Sequence, residues 1–210
     1  VGANKLTLSG GGIIENTNKL ILDKPASIVA MNGISQISKL SVASPLTSGK
    51  LSVGDDAIIQ TLEHTESSKL DISDDASLTI QNVFEVPQNK SMELIGSDNG
   101  TLILGDKLTL TGILKISAPD KLSGGTLELK GGTLAVNENS VIESALTHID
   151  PSNIDVISGK KLKYTGNEAR IGAIELTLSG GGFIDNANDF ALDNPNSILS
   201  MSGIEISKVS

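Results

Sequence analysis

The sequence has no cysteine and no tryptophan, and aromatic residues occupy only 2% of its 210 positions. The absence of cysteine excludes disulfide bonds, thiolate metal ligands and cysteine nucleophiles. Hydrophobic residues still make up 38% of the chain, so leucine, isoleucine and valine supply most of its apolar surface. Ordinary cores and ligand pockets use large rings, because each ring buries a large area. A chain without them favours thin, repetitive layers.

Positive charge and long apolar runs are also scarce. Lysine and arginine total 16 against 25 aspartates and glutamates, which gives a net charge of −9, and Arg170 is the single arginine. Nucleic-acid binding needs a cationic face, so a nucleic-acid partner is not expected. No apolar run reaches the roughly 18 residues of a membrane helix. We therefore expect no membrane insertion by this segment.

A long internal repeat organises the chain. Residues 6–34 align with residues 176–204 at an offset of 170, and 18 of the 29 aligned positions are identical. After a one-residue gap, the match continues with residues 37–39 against 206–208. Such self-similarity at a fixed period is typical of repeat architectures.

The repeat sets the expected domain organisation. Residues 1–170 form one complete unit, and residues 171–210 begin the next unit without a linker. Because both ends lie inside a repeat, we expect the parent protein to be a longer tandem array. The expected partners are therefore further copies of the same unit, placed head to tail along one axis or assembled into a filament.

A shorter pattern recurs within the unit. Leu20–Ile28 has two apolar residues separated by one position, then turn formers, then a further apolar residue. Leu51–Ile58, Leu70–Leu78 and Leu134–Val141 repeat this order. Alternation with a period of two is typical of a strand with one buried face. No window combines helical spacing with helix caps, so the sequence predicts an all-β chain.

Two β architectures can bury such strands. A sandwich needs two faces about 10 Å apart that large side chains fill. A parallel solenoid stacks its turns about 4.8 Å apart around a narrow interior, which aliphatic residues fill. Motifs that start at residues 51, 70 and 92 lie 19 and 22 residues apart, a suitable length for one coil. The sequence therefore predicts a parallel β-solenoid, or β-helix, of roughly eight coils per unit, with tandem β-sandwich domains as the alternative.

Two glycine-threonine-leucine segments carry a resemblance to known proteins. Asn99–Gly105 reads NGTLILG and precedes LTLTG at Leu108–Gly112, and Gly125–Val136 has the same style. These segments resemble the passenger repeats of bacterial autotransporters and related haemagglutinin-like surface exoproteins. The resemblance implies a right-handed parallel β-helix that is exported to the cell surface as a stalk or adhesin.

Paired aspartates are the main candidates for a ligand site. Asp55-Asp56 and Asp74-Asp75 occupy equivalent places in motifs that are 19 residues apart, so adjacent coils would gather four carboxylates. Ca²⁺ would relieve their repulsion through oxygen ligands. Alternatively, each aspartate ends a strand and accepts hydrogen bonds from backbone N–H groups in a turn. The turn interpretation is favoured, because the glycine-rich nonapeptide of calcium-binding β-rolls is absent, and no cofactor other than Ca²⁺ is expected.

Candidates for catalysis are few, and the sequence predicts no enzyme. Glycoside hydrolysis needs two carboxylates held about 5–10 Å apart around the sugar. Arg170, with Glu168 nearby, is the one guanidinium that could assist a lyase base, and Tyr164 is the ring that could stack on a sugar. An arginine beside a glutamate more often forms a surface ion pair. His64 and His148 lack a second histidine at ligand spacing, and we expect both to be solvated loop residues.

Glycine runs and strand-leading lysines have structural interpretations. The triple-glycine runs lack the lysine-serine pair and the helix of a phosphate-binding loop, so we expect them to end strands at corners of the coil. The predicted corner and turn residues are Gly10, Gly11, Gly12, Asp23, Pro25, Gly180, Gly181, Gly182, Asp193 and Pro195. Lysine often precedes leucine at a strand start, and we expect acidic residues of neighbouring coils to screen its charge.

Together these features favour a non-enzymatic structural or adhesive segment of a long, tandem-repeat extracellular fibre or surface protein. Its acidity would keep a long rod soluble. A glycan-binding or glycan-cleaving β-helix, as in a phage or surface fibre, is the alternative. We expect an extracellular or cell-surface location, with a host or cell-surface glycan or protein as a further partner.

Overall fold

The computed structural model describes residues 5–15, 20–22, 28–42, 49–96, 99–167, 169–172, 174–192 and 194–209. All regular secondary structure in these residues is β-strand. The same residues contain no helix of the length and hydrophobicity needed to span a bilayer. The all-β prediction from alternating apolar residues is therefore confirmed.

The strands are short and follow one another closely along the chain. Those of the first turns are β1 (Lys5–Ile14), β2 (Leu20–Leu22), β3 (Ile28–Val42), β4 (Gly49–Val53), β5 (Ala57–His64), β6 (Ser68–Ile72), β7 (Ser77–Ile80) and β8 (Phe84–Val86). Those of the middle turns are β9 (Ser91–Leu94), β10 (Thr101–Leu110), β11 (Ile113–Ile116), β12 (Lys121–Lys130), β13 (Thr133–Val136), β14 (Ser140–Ile142) and β15 (Ala145–Asp150). Those of the last turns are β16 (Ser152–Val156), β17 (Lys161–Tyr164), β18 (Ala169–Arg170), β19 (Glu175–Ser179), β20 (Phe183–Asn186), β21 (Phe190–Ala191), β22 (Ile198–Ser202) and β23 (Glu205–Ile206).

Each ladder between these strands is parallel and joins one turn of the coil to the next. β3, for example, pairs with β1 on one side and with β4 and β5 on the other. β12 pairs with β10 on one side and with β14 and β15 on the other. This stacking forms a parallel β-solenoid of about eight turns. The alternative of tandem β-sandwiches is wrong, because the strands pair between turns and form no two face-packed antiparallel layers.

Apolar residues of successive turns lie above one another in the interior. Alternation within each strand produces this arrangement: in β13, Leu134 and Val136 are buried, whereas Thr133 and Ala135 face outward. One interior column gains one residue per turn and runs through Leu20, Leu40, Leu62, Phe84, Leu108, Leu127, Leu146, Ala169 and Phe190. Its first and last members are equivalent in the sequence repeat, so on this face the repeat corresponds to a whole number of turns.

Glycine lets neighbouring turns approach closely at one corner of the stack. Gly125 has a φ of +34°, and a Cβ added there would lie 1.9 Å from the carbonyl oxygen of Asp106 in the preceding turn. That contact is with backbone, so it cannot be relieved by a side-chain rotation. A side chain at this position would therefore separate the two turns.

Charged side chains on the outside pair between adjacent turns. Lys107 Nζ lies 3.0 Å from Glu128 Oε2, and Lys121 Nζ lies 2.8 Å from Glu143 Oε2. Five further pairs follow the same rule: Lys50–Asp71, Lys69–Glu93, Lys90–Glu66, Lys160–Glu138 and Lys161–Asp185. Screening of strand-leading lysines by acidic residues of neighbouring coils is thus confirmed for Lys50, Lys69, Lys107 and Lys121.

Candidate functional site

The four aspartates singled out in the sequence lie together at one corner of the stack. Asp55 and Asp56 follow β4, while Asp74 and Asp75 follow β6 one turn later. The in-register pairing of β4 with β6 brings the two pairs side by side. They line an open depression of about 260 Å³, the aspartate groove, together with Gly54 and Ala76.

One of these carboxylates, that of Asp56, accepts hydrogen bonds from within the protein. Asp56 Oδ1 accepts bonds from the backbone N–H and the hydroxyl of Ser77, both at 2.8 Å. Asp75 has a φ of 58°, a left-handed conformation that aspartate tolerates in turns. Across the described part of the chain, no three His, Cys, Asp or Glu side chains are grouped so that they could hold a metal ion. The contacts of Asp56 and Asp75 suit the turn interpretation, and calcium at the aspartate groove stays a prediction.

An aspartate that the sequence analysis passed over is buried near this corner. Asp120 lies between β11 and β12 and is 1% exposed. Neither of its carboxylate oxygens makes a hydrogen bond of standard geometry with a described residue. Two glycines leave room for the carboxylate, because a Cβ on Gly96 or Gly100 would lie 2.8 or 3.1 Å from Asp120 Oδ1.

The surroundings of Asp120 disfavour its charged form. Burial raises the pKa of its carboxyl group to about 6, and the negative charges of Asp71 and Asp74 add to this effect. The backbone N–H of Gly100 opposes the shift only in part. A buried carboxylate without a cationic partner is costly, so burial at this position favours the protonated form of Asp120.

Two buried histidines overturn the expectation of solvated loop residues. His64 is the last residue of β5 and is 5% exposed, because the buried alternation of that strand extends to its end. Its Nε2 lies 2.7 Å from Ser68 Oγ. Burial lowers the pKa of His64 to about 4, although Glu66 acts in the opposite direction. His148 lies in β15 opposite Leu129, and burial lowers its pKa as well.

Of the residues considered for sugar chemistry, the structure describes Tyr164 and Arg170. Tyr164 is 2% exposed, and its ring packs against that of Phe190 at a centroid distance of 5.9 Å. Its hydroxyl donates a 2.5 Å hydrogen bond to the carbonyl oxygen of Asn167. The idea that Tyr164 could stack on a sugar is therefore wrong. Arg170 is exposed at the end of β18, and Glu168 lies outside the described residues.

The predicted glycine corners differ between the two copies. Gly180 and Gly181 lie between β19 and β20, with φ values of +105° and +79°. Gly10 and Gly12 instead lie inside β1, which continues through all three glycines of its run and shifts register at Gly12. The first run therefore forms an irregularity in a continuous strand and does not end it.

Of the other predicted turn residues, Pro195 lies within the described part of the chain. Pro195 is in a turn that Asn194 closes, since the carbonyl oxygen of Asn194 accepts a 2.9 Å bond from the N–H of Ser197. The side chain of Asn194 also accepts a bond from the N–H of Asn196, at 3.0 Å. Three predictions fall outside the described residues: Asp23, Pro25 and Asp193.

A second groove lies beside Phe183, an aromatic side chain that is partly exposed and has charged neighbours. Gly159, Gly181 and Gly203 stand one turn apart with φ values of +76°, +79° and +67°. Phe183 is half-buried beside them, and Lys161 Nζ lies 5.6 Å from its ring centroid. The open volume is about 360 Å³ and defines the Phe183 groove, lined by Gly159, Lys160, Lys161, Gly181, Gly182, Phe183, Gly203 and Glu205.

The geometry thus separates surface groups from enclosed ones. The aspartate groove and the Phe183 groove can present polar groups to a ligand. Asp120 and His64 are enclosed, so they cannot touch a large substrate. No family model, no curated protein and no solved structure matches this chain.

Proposed function

We propose that this chain is a structural and adhesive segment of a long extracellular repeat fibre. The observation that carries the proposal is the ladder across the boundary between the two copies. β16 and β17 of the first copy pair in parallel with β19 and β20 of the second. Because the second copy continues the same coil, each added copy would lengthen one rod and would not start a separate domain.

Side-chain bonds between turns support a stiff rod. Ser117 Oγ donates a 2.8 Å bond to Glu93 in the preceding turn, and Ser179 Oγ donates a 2.8 Å bond to Asp155. Such bonds, together with the ion pairs, link each turn to its neighbour in addition to the backbone ladder. The outer faces are therefore extended, polar and regular, which suits attachment along the length of a fibre.

The resemblance to autotransporter passengers and haemagglutinin-like exoproteins is part of the basis for this proposal. The parallel β-solenoid is the architecture that the resemblance implies, and it supports a stalk or adhesin at the cell surface. Further copies of the unit are the proposed partners along the axis. A host or cell-surface glycan or protein is the proposed partner on the outer faces.

Electron microscopy of engineered arrays tests the structural proposal. Proteins with one, two and three copies of residues 1–170, each followed by residues 171–210, should form straight rods. Their length should grow by roughly 38 Å per copy, since about eight turns rise about 4.8 Å each. Particles in which the copies are joined at variable angles would contradict a continuous coil.

A glycan-binding function is the second candidate, and the Phe183 groove favours it. An aromatic ring can stack on a sugar, while Glu205 and Lys160 can bond to its hydroxyls. We expect Phe183→Ala to weaken binding on a glycan array about tenfold, whereas Ile113→Ala, at an exposed position elsewhere, should not. Release of reducing sugar by the unaltered chain would show that the protein cleaves glycans and would contradict the non-enzymatic proposal.

Calcium at the aspartate groove is the alternative to a purely turn-forming role for these aspartates. If it binds there, a chelator should lower the melting temperature by several degrees, and a chain with Asp74→Asn and Asp75→Asn should lose this response. The same substitution at exposed Asp106 is the matched control. An unchanged melting temperature would rule out calcium as a stabilising ligand.

A further inference from the structure

A row of outward positions runs along one face of the stack through β12, β14, β17 and β20. Lys121 pairs with Val141, Val141 with Lys163, and Lys163 with Asp185, so each residue stands one turn from the next. All four point away from the interior, because the residues on either side of them along the strand are buried. The middle strands, β14 and β17, have a paired strand on both sides.

An open groove of about 300 Å³, the Val141 groove, lies over the middle of this row. Its lining includes Asn99, Pro119, Asn139, Val141, Lys161 and Lys163. Val141 and Pro119 are half-buried and provide the apolar part of the lining, while the side chains of Lys161 and Lys163 are exposed beside them. An apolar surface with a few polar groups at its edge is the usual composition of a ligand site.

The two lysines of the row differ in their ion pairs. Lys121 Nζ lies 2.8 Å from Oε2 of Glu143, one turn later. Ala187 stands at the same place one turn after Lys163, since the N–H groups of Glu143 and Ala187 each donate to the carbonyl oxygen of the residue that follows the lysine. In the described part of the chain, Lys163 forms no ion pair. The pattern of pairing between turns is thus broken at this one position of the row.

Asp185, the neighbour of Lys163 in the row, is engaged by other groups. Its Oδ2 lies 2.6 Å from Lys161 Nζ, and its Oδ1 accepts a 3.5 Å bond from the hydroxyl of Ser207. The ammonium group of Lys163 therefore has donors to spare for a carboxylate from outside the protein, and such charge-assisted bonds are stronger than neutral ones.

We propose that the Val141 groove binds the carboxylate-bearing unit of an acidic oligosaccharide, with the carboxylate at Lys163. The apolar face of the sugar ring then lies on Val141 and Pro119. Asn139 Oδ1 already accepts a 2.9 Å bond from the backbone N–H of Lys161, so its Nδ2 can donate to a sugar hydroxyl. The net charge of −9 does not prevent this binding, because salt screens charges that are more than about 10 Å away.

The Val141 groove adjoins the Phe183 groove, because Lys161 lines both of them. Lys161 pairs with Phe183 in the ladder between β17 and β20, so the aromatic ring stands one turn further along the stack. An oligosaccharide that lies along the stack can therefore place a neutral unit on Phe183 and a uronic-acid unit at Lys163. This inference rests on the glycan-binding function proposed as the second candidate, and it names the class of glycan.

Glycan arrays with matched acidic and neutral probes test the proposal. The array carries uronic-acid oligosaccharides, hyaluronan and pectin fragments among them, beside counterparts whose carboxylates are reduced to hydroxymethyl groups. The unaltered chain should bind the acidic forms about fivefold more tightly, and added salt should reduce this preference. Lys163→Gln should abolish the preference, whereas Lys163→Arg should retain it because arginine keeps the charge.

Two further variants separate the groove from general effects of charge. Lys115→Gln removes the same charge from an outward position of β11 and should leave the preference unchanged. Phe183→Ala should weaken the binding of both forms, because the ring contacts the neutral unit. Equal binding of the two forms by the unaltered chain, or a preference that survives Lys163→Gln, would refute the acidic site while glycan binding stands. Absence of binding to either form would refute the glycan-binding candidate together with this inference.

Discussion

The interior of this solenoid and its outer faces are formed by the same strands but are stabilised differently. Interior positions bury aliphatic side chains, and Leu108 and Leu127, stacked on each other, are both 0% exposed. Outer positions carry ion pairs such as that of Lys160 with Glu138, whose side chains remain 31% and 40% exposed. Burial of a leucine contributes about 1.5–3 kcal/mol, whereas an exposed ion pair contributes about 0–1 kcal/mol. Most of the stability therefore comes from the interior.

Buried titratable groups depart from this division, Asp120 and His64 among them. Burial shifts the pKa values of these two groups in opposite directions. Desolvation favours the neutral form of each group, which is the protonated form of aspartic acid but the deprotonated form of histidine. The interior should thus respond to pH through two effects of opposite sign.

The largest expected effect is a cavity in the interior. Leu127→Ala should lower the free energy of unfolding by about 2–5 kcal/mol, because the removed atoms leave a space that stacked turns cannot close. Chemical denaturation followed by circular dichroism measures the loss. Thr126→Ala, at the neighbouring outward position, is the control and should change stability by less than about 1 kcal/mol. Equal effects of the two substitutions would contradict the division between interior and outer face.

Removal of the Asp120 charge should give the next largest effect. In the folded state the pKa of Asp120 is about 6, above the ordinary value of 3.8. The folded state therefore binds this proton more tightly than the unfolded state does, and stability falls as the pH rises from about 4 to 6. Asp120→Asn should therefore raise stability at pH 7 by up to about 3 kcal/mol, with little difference at pH 4. Denaturation at both pH values measures this, with exposed Asp106→Asn as the control. A loss of stability at pH 7 would show that the ionised carboxylate has a stabilising partner.

His64 should show the opposite pH dependence. Its folded pKa of about 4 lies below the ordinary value of 6.5, so stability is complete above pH 6.5 and falls as the pH drops towards 4. His64→Leu should remove up to about 3 kcal/mol of this acid-dependent loss, because leucine does not titrate. Stability curves from pH 4 to 7 measure the difference from the original chain. Parallel curves for the two chains would mean that the pKa of His64 in the folded state is close to its ordinary value.

An outer ion pair should matter least. Lys160→Ala should lower stability by no more than about 1 kcal/mol, since the pair with Glu138 is partly exposed and screened by salt. A double-mutant cycle with Glu138→Ala isolates the pairwise energy, and added salt should reduce it. A coupling energy as large as the effect of Leu127→Ala would mean that ion pairs on the outer faces stabilise the fold as much as interior packing does.

The sequence analysis was correct for residues whose structural role depends on short sequence patterns. Alternation at Leu134–Val136 predicts a strand with one buried face, and the structure has that strand. The equal spacing of Asp55-Asp56 and Asp74-Asp75 predicts that the two pairs meet at one corner, as they do. Both inferences need only the strand period and the coil length.

The errors concern residues whose surroundings come from other turns. His64 and His148 occur in polar stretches of sequence, yet the turns above and below enclose both side chains. Asp120 resembles the turn-forming aspartates, but it lies inward and is enclosed. Tyr164 similarly packs against Phe190, which is distant in sequence. Burial at these sites depends on contacts that no local window contains.

The sequence by itself determined the type of strand, the coil length and the equivalence of two copies 170 residues apart. Those properties follow from side-chain alternation and spacing, which depend only on the order of residues in the sequence. Only the tertiary structure decided which polar groups are enclosed, as His64 and Asp120 show. The reason is that each turn is buried by its neighbours, so the environment of a residue depends on segments about twenty positions away.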